Sequence, residues 1–253
     1  MTATSSAPTL APRQSHLDRA VAMRLAATEY DRFLAELRRL TPQDWSRPTE
    51  CPAWDARQLA AHVLGMAEMS ASLPEQMRQM RAAGKAGGLF IDALTALQVA
   101  KHQDKTPEQI IERFAAVGPK AAKGRKRTPG FIRGRTMPVE QPVGGVDEKW
   151  TLGYLVDVIL TRDTWMHRID LASAAGHEPQ LTADHDGVLV ADVVAEWAER
   201  HGQPCTLTLT GPAGGSWSFG SGGPDLREDA VEFCRRLSGR GTGEGLLAQQ
   251  VPF

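Results

Sequence analysis

Apolar residues recur at helical spacing over roughly the first 180 positions and then give way to strand-like alternation. From His16 to Leu40, the residues Leu17, Val21, Leu25, Phe33, Leu37 and Leu40 form one stripe with charges opposite, which predicts a helix stopped by Thr41-Pro42. Leu59, His62, Val63, Met66 and Met69 repeat at intervals of three and four, so a second amphipathic helix is expected from about Ala56, capped by Asp55. It runs into the eighties with a kink or break at Pro74 and ends at the glycines of AAGKAGG. Phe90 to Lys101 and Pro107 to Val117 read as a third helix in two pieces, the second opened by Thr106 and Pro107. His102, at the break, is expected to be exposed.

Leu152 to Ala175 reads as one long helix with Thr151 as N-cap; Leu152, Leu155, Val156, Ile159, Leu160, Met166 and Leu171 give it the apolar content of a buried element. Beyond Gly176 the texture changes. Ala183 to Arg200 is a further amphipathic helix, and Pro204 to Thr210 alternates, with Cys205, Leu207 and Leu209 on one face. Ser216 to Gly220 is a hairpin partner, and a last helix starts at Asp225 or Asp229. The predicted architecture is α + (α+β): a disordered tail over 1–15, a four-helix bundle over 16–180 and a small α+β carboxy-terminal domain over 181–253.

Composition narrows the function classes. The chain has 253 residues with 29 basic and 30 acidic side chains, a net charge of -1, so the whole-chain balance points away from nucleic acid. No stretch reaches the roughly 18–20 apolar residues of a membrane span, and the first fifteen residues lack the apolar core of a signal peptide. Cys51, Cys205 and Cys234 are odd in number and widely spaced, which argues against a disulfide framework and for a cytoplasmic setting. Lys120 to Arg135 holds seven basic residues and no acid. Its interleaved Gly and Pro favour a solvated crossover loop over a nucleic-acid face, with Arg133 and Arg135 placed to fold back onto a carboxylate. Trp45 and Trp54, in a proline-bearing segment, read as a packed loop lid.

Candidate chemistry sits on the second and fourth long helices. Asp163 and His167 stand one turn apart and project from the same helix face. His62 lies in the apolar stripe of its own helix. Two inward histidines and an inward carboxylate are either a satisfied polar network in the core or a three-ligand metal site with an open position. Joint ligation brings the two imidazole nitrogens to within about 4 Å of each other, because each Zn–N bond is about 2.1 Å.

LTPQDWSRPTECPAWDARQLAAHVLG (Leu40 to Gly65), TRDTWMHRIDLASAAG (Thr161 to Gly176) and the ending DAVEFCRRLSGRGTGEGLLAQQVPF together resemble the mycothiol-dependent maleylpyruvate isomerase family. That resemblance implies a DinB-like four-helix metal-binding bundle with a small carboxy-terminal domain. It implies a divalent metal, usually zinc, held by His62, Asp163 and His167, with mycothiol or a similar thiol as cosubstrate and a small electrophile as substrate. The family pattern carries Glu where this chain has Asp163, one methylene shorter. Asp170 is placed to orient His167 through its ring N–H or to pair with Arg168. Arg168, Arg236 and Arg240 are candidates for holding a substrate or thiol carboxylate, against a plain salt-bridged role for each. The competing readings are a metal-dependent isomerase or S-transferase, a metal-binding bundle without catalysis that serves as a ligand-binding or regulatory module, and a metal-free structural protein. Partners are expected to be small molecules, with no nucleic acid and no membrane, in a monomer or homodimer.

Overall fold

The computed structural model describes residues 11–253. Of the tail expected over 1–15, residues 1–10 lie outside the described residues. Arg13, within it, is held: its N–H donates to the Lys149 carbonyl at 2.8 Å and its own carbonyl accepts from the Thr151 N–H at 2.9 Å. Its guanidinium faces Glu148, Glu196 and Glu199, a counter-charge that the sequence spacing does not show.

The chain opens with α1 (Arg19–Arg39), capped by Asp18, whose carboxylate accepts from the Ala20 and Val21 N–H groups. The second helix, α2 (Ala56–Ala71), starts in a capping box in which Asp55 and Gln58 satisfy each other's backbone. Ser72 breaks the chain and Pro74 sits in the first turn of α3 (Leu73–Ala86), so the expected kink is a separate helix. After α4 (Phe90–Lys101) comes α5 (Pro107–Arg127), opened by a Thr106–Gln109 capping box. A short α6 (Gly130–Arg133) and a hairpin of β1 (Gln141–Val143) and β2 (Val146–Glu148) lead to α7 (Leu152–Tyr154). One π turn over Leu155–Ile159 joins α7 to α8 (Leu160–Ala175). The long helices α1, α2, α5 and α8 close the bundle: α1 packs on α5 and α8, and α2 packs on the same two.

Two expectations need correction and one is met. The basic run is not a loop at its start, because α5 continues to Arg127; Lys and Arg are good helix formers, and the helix absorbs Pro119. Within it Arg125 is buried, donating to the Val156 carbonyl at 2.9 Å and to the Thr161 hydroxyl. His102 is buried, not exposed, with Nε2 3.3 Å from Glu68. Arg133 does fold back, its Nε lying 3.0 Å from Asp157 at the π turn.

The carboxy-terminal part comprises α9 (Asp186–His201), β3 (Cys205–Thr210), β4 (Gly215–Phe219), β5 (Asp225–Asp229) and α10 (Ala230–Arg235). Strand order is β4-β3-β5, with β4 antiparallel and β5 parallel to β3. Asp225 thus starts a strand, and Asp229 caps the helix that follows it. The crossing to β5 needs Gly223, at φ 84°, where a Cβ would lie 1.9 Å from the Pro204 carbonyl oxygen. Leu25 of α1 and Trp165, Met166 and Ile169 of α8 share one core with α9 and the sheet. The opposite faces of α1 and α8 belong to the bundle, whose own core includes Phe33, Leu59, Phe114 and Leu171. Among the described residues no helix is long and apolar enough to cross a membrane.

Candidate metal centre

α2 supplies His62 and α8 supplies Asp163 and His167, and the packing of these helices brings the three together across about a hundred residues of chain. Asp163 Oδ1 is 3.8 Å from His62 Nε2 and 3.4 Å from His167 Nε2. One donor atom from each residue lies within 4.8 Å of the others, and the two imidazoles meet edge to face with centroids 5.3 Å apart. Both rings are buried, while the Asp163 side chain keeps 21% of its surface exposed, so the group is reached from one side. Trp54, expected in a loop lid, covers it: its ring lies 5.0 Å from that of His62 and 6.3 Å from that of His167. Trp45 is instead buried in the bundle core.

The outer nitrogens decide which lone pairs face inward. His167 Nδ1 is 3.0 Å from Asp170 Oδ2, an acceptor, so that nitrogen carries the proton and Nε2 presents a lone pair. His62 Nδ1 is 2.8 Å from Gln98 Oε1, with the same result. With both rings neutral, two imidazole lone pairs and a carboxylate converge, and Asp163 Oδ2 is buried without a hydrogen-bond partner. Only a positive charge satisfies three converging acceptors; a divalent cation fits this donor set, and in its absence a proton takes the place. Burial alone would raise the Asp163 pKa, but His167 and then His62 outweigh it and hold the carboxyl well below the usual carboxylate range. Burial likewise opposes a charged His167, yet Asp163, Asp170 and Cys51 push its pKa well above the ordinary value.

Asp170, fully buried, orients His167 and is itself gripped by Arg240, whose Nε and Nη2 donate to its two oxygens at 2.8 and 2.7 Å. Of the three arginines singled out in the sequence, Arg240 alone reaches this centre. Arg168 points to the other side of α8, with Nε 2.6 Å from Glu29 and Nη2 2.7 Å from Asp186. Its sequence neighbour His167 faces α2; adjacent residues on a helix diverge by about 100°. Arg236 lies in a separate groove of about 530 Å³ against β5, paired with Glu228 and donating to the Thr242 carbonyl at 2.5 Å.

Three further participants carry little local signal in the sequence. Cys51 Sγ lies 4.0 Å from His167 Nδ1 and 3.9 Å from both Asp170 Oδ2 and Arg240 Nη2. Gln98 and Gln79, on α4 and α3, are fully buried behind His62. A glutamine inside the otherwise apolar run LTALQVA is the one hint that Gln98 has an inward task.

Comparison with known proteins bears on the fold and the family. No curated protein matches the sequence significantly. Crystal structures of a mycothiol-dependent maleylpyruvate isomerase and of a histidine-to-alanine mutant of it superpose with TM-scores of 0.56 and 0.55 at 14% identity, covering 89% of this chain and 91% of theirs; these share the fold. A family model described as the mycothiol maleylpyruvate isomerase N-terminal domain matches residues 26–172, well over half of the sequence, and the chain belongs to that family.

Proposed function

We propose that this protein is a metal-dependent, low-molecular-weight-thiol isomerase or S-transferase acting on a small electrophilic substrate, with mycothiol or a similar thiol as cosubstrate. The observation that carries the reading is the convergence of His62 Nε2, Asp163 and His167 Nε2 with their protons turned outward, a donor set that suits zinc. When bound, such a cation lowers the pKa of a thiol so that thiolate exists near neutral pH. The chain's own residues do the rest. Asp170 keeps the His167 lone pair inward, and Arg240 keeps Asp170 in place. Trp54 walls one side and limits water over the two rings. Of the three arginines only Arg240 stands at the centre, where it holds Asp170; Arg168 and Arg236 are committed elsewhere.

Two measurements on protein purified without a histidine tag test the proposal. Elemental analysis is expected to find one divalent metal per chain, lost in His62→Ala and His167→Ala. Turnover of an electrophile panel is expected to require both the metal and a low-molecular-weight thiol. A metal-loaded protein inert with every thiol would leave a binding module, and a metal-free wild type would sink the proposal.

A further inference from the structure

Behind His62, away from the converging donors, two buried glutamines continue the hydrogen bonding into α3 and α4. Gln98 Oε1 is 2.8 Å from His62 Nδ1; Gln98 Nε2 is 2.9 Å from Gln79 Oε1 and 3.0 Å from the Met66 sulfur. Gln79 Nε2 in turn lies 3.1 Å from the Gly65 carbonyl and 2.9 Å from Glu75 Oε1. The far end of this chain fixes its direction. A backbone carbonyl and a carboxylate only accept, so the Gln79 amide must turn its NH₂ toward them and its oxygen toward Gln98. That oxygen needs a donor, which turns the Gln98 NH₂ toward Gln79 and its oxygen toward His62. We infer that Gln79 and Gln98 are positioning residues: a two-amide relay, anchored on the Gly65 carbonyl and Glu75, that holds His62 in the Nδ1-protonated tautomer and so keeps its Nε2 lone pair aimed at the metal position.

An independent feature supports the relay. Gly65 sits in the interior of α2, where glycine costs about 1 kcal/mol relative to alanine. A Cβ there would lie 2.6 Å from both Cβ and Cγ of Gln98. The helix thus accepts a poor helix former at the one place where it lets the Gln98 side chain reach His62. Both glutamine side chains are fully buried, and a buried amide is retained only where its hydrogen bonds are met. On this account the α3–α4 excursion between α2 and α5 is the rear support of one metal ligand.

The inference rests on the proposed metal site, and its test separates the two. Long-range ¹⁵N NMR of the histidine rings, recorded on metal-free protein at a pH where His62 is neutral and assigned with His62→Asn, reports the tautomer directly. Wild type and Gln98→Glu, which keeps an acceptor opposite Nδ1, are expected to show the Nδ1-protonated ring; Gln98→Leu and Gly65→Ala are expected to shift it toward the Nε2-protonated form. Competition for zinc with a chromogenic chelator is expected to show affinity weakened about 10–100-fold in Gln98→Leu, the usual scale for an outer-shell partner, and kept in Gln98→Glu. Gln79→Leu, one bond farther away, is expected to cost less. A merely structural role would lower the melting temperature of these variants without moving the tautomer. Wild-type tautomer in both Gln98→Leu and Gly65→Ala would overturn the relay. If the wild type takes up no zinc, the metal reading falls while the NMR comparison still decides the relay.

Discussion

α8 carries two polar clusters on opposite faces, one built around His167 and the other around Arg168, and they differ in how their charges are met. On the Arg168 side every charge has its opposite. The guanidinium lies between Glu29 and Asp186, His185 Nε2 reaches Glu29 at 2.7 Å, and Asp186 also accepts from the Trp165 indole at 2.9 Å and the Thr182 N–H at 2.7 Å. On the His167 side three acceptors face one another and one carboxylate oxygen is left over. Burial is similar around both and polarity is high in both, so neither property separates structure from chemistry here. Charge pairing does: around Arg168, where α1, α8 and α9 are tied together, the buried atom left without a partner is His185 Nδ1, whereas around His167 it is a carboxylate oxygen, Asp163 Oδ2, and that side has room for a cation.

The comparison breaks most sharply at Arg168. Arg168→Leu leaves Glu29 and Asp186 buried with a large part of their positive charge removed. It is expected to destabilise the protein by about 3–5 kcal/mol, the usual cost of removing one partner from a buried ion pair. For a chain of this length that lowers the thermal midpoint by roughly 6–20 °C. Metal content per folded chain should not change. A variant that melts like the wild type, or loses metal while folded, would show that the two faces are not separable.

Asp163→Ala is the mirror experiment. It removes one of three proposed ligands and is expected to weaken metal binding by more than the roughly 100-fold that losing an outer-shell partner can cost. The metal-free protein should lose less stability than Arg168→Leu does, because His167 keeps Asp170 as a counter-charge. Chelator competition together with a melt on chelated protein reads both. Full metal occupancy in Asp163→Ala would remove the carboxylate from the ligand set and leave two histidines, too few for a tight site.

Acid titration reads a further paired cluster, where Arg162 of α8 meets Asp192 and Glu196 of α9. Glu196 accepts from the Tyr154 hydroxyl and from Arg162 and Arg200, each at 2.7 Å, joining α7 and α8 to α9. Burial opposes its charge, but Arg162 and Arg200 outweigh burial and bring the carboxyl down to about 2, from an ordinary 4.5. Because the folded pKa lies below the unfolded one, the unfolded chain binds the proton first as pH falls. The stabilisation is complete above about 4.5 and drains away as pH drops toward about 2. Denaturant midpoints across that window should fall with pH in the wild type and fall less in Glu196→Gln.

Helix spans and the shared face of Asp163 and His167 were legible in the chain because periodicity and i,i+4 spacing are local properties, whereas the approach of His62, about a hundred residues away, depends on the packing of α2 against α8. The sorting of the arginines was not. Arg168 and Arg240 look alike in sequence, and what separates them is Glu29 on α1 for one and Asp170 on α8 for the other, contacts set by packing over 139 and 70 residues. His102 escaped for a similar reason: a break between helices predicts exposure, but the neighbouring Glu68 cluster covers it. Strand β5 reads DLRED, an edge strand whose charges mask the alternation, and its parallel pairing with β3 has no sequence signature.

The smallest expected effect comes from Asp163→Glu, and it tests the fit of the centre more finely than any deletion. The backbone of α8 is held by its packing on α1 and α2 and by both polar clusters, so an added methylene changes reach and not register. Asp163 Oδ1 already sits nearer His167, at 3.4 Å, than His62, at 3.8 Å. A longer arm on a partly exposed residue can swing the carboxylate toward the midpoint without a clash in the core. The added rotatable bond costs some entropy, while Glu is a better helix former than Asp by a few tenths of a kcal/mol. These terms nearly cancel, so metal affinity is expected to stay within about tenfold of wild type, since 1.4 kcal/mol separates each decade. The chelated protein should melt at or slightly above the wild-type temperature. A loss as large as that of Asp163→Ala would mean that the carboxylate position is fixed to the shorter arm, and that the pairing of this aspartate with the two histidines is specific to this chain.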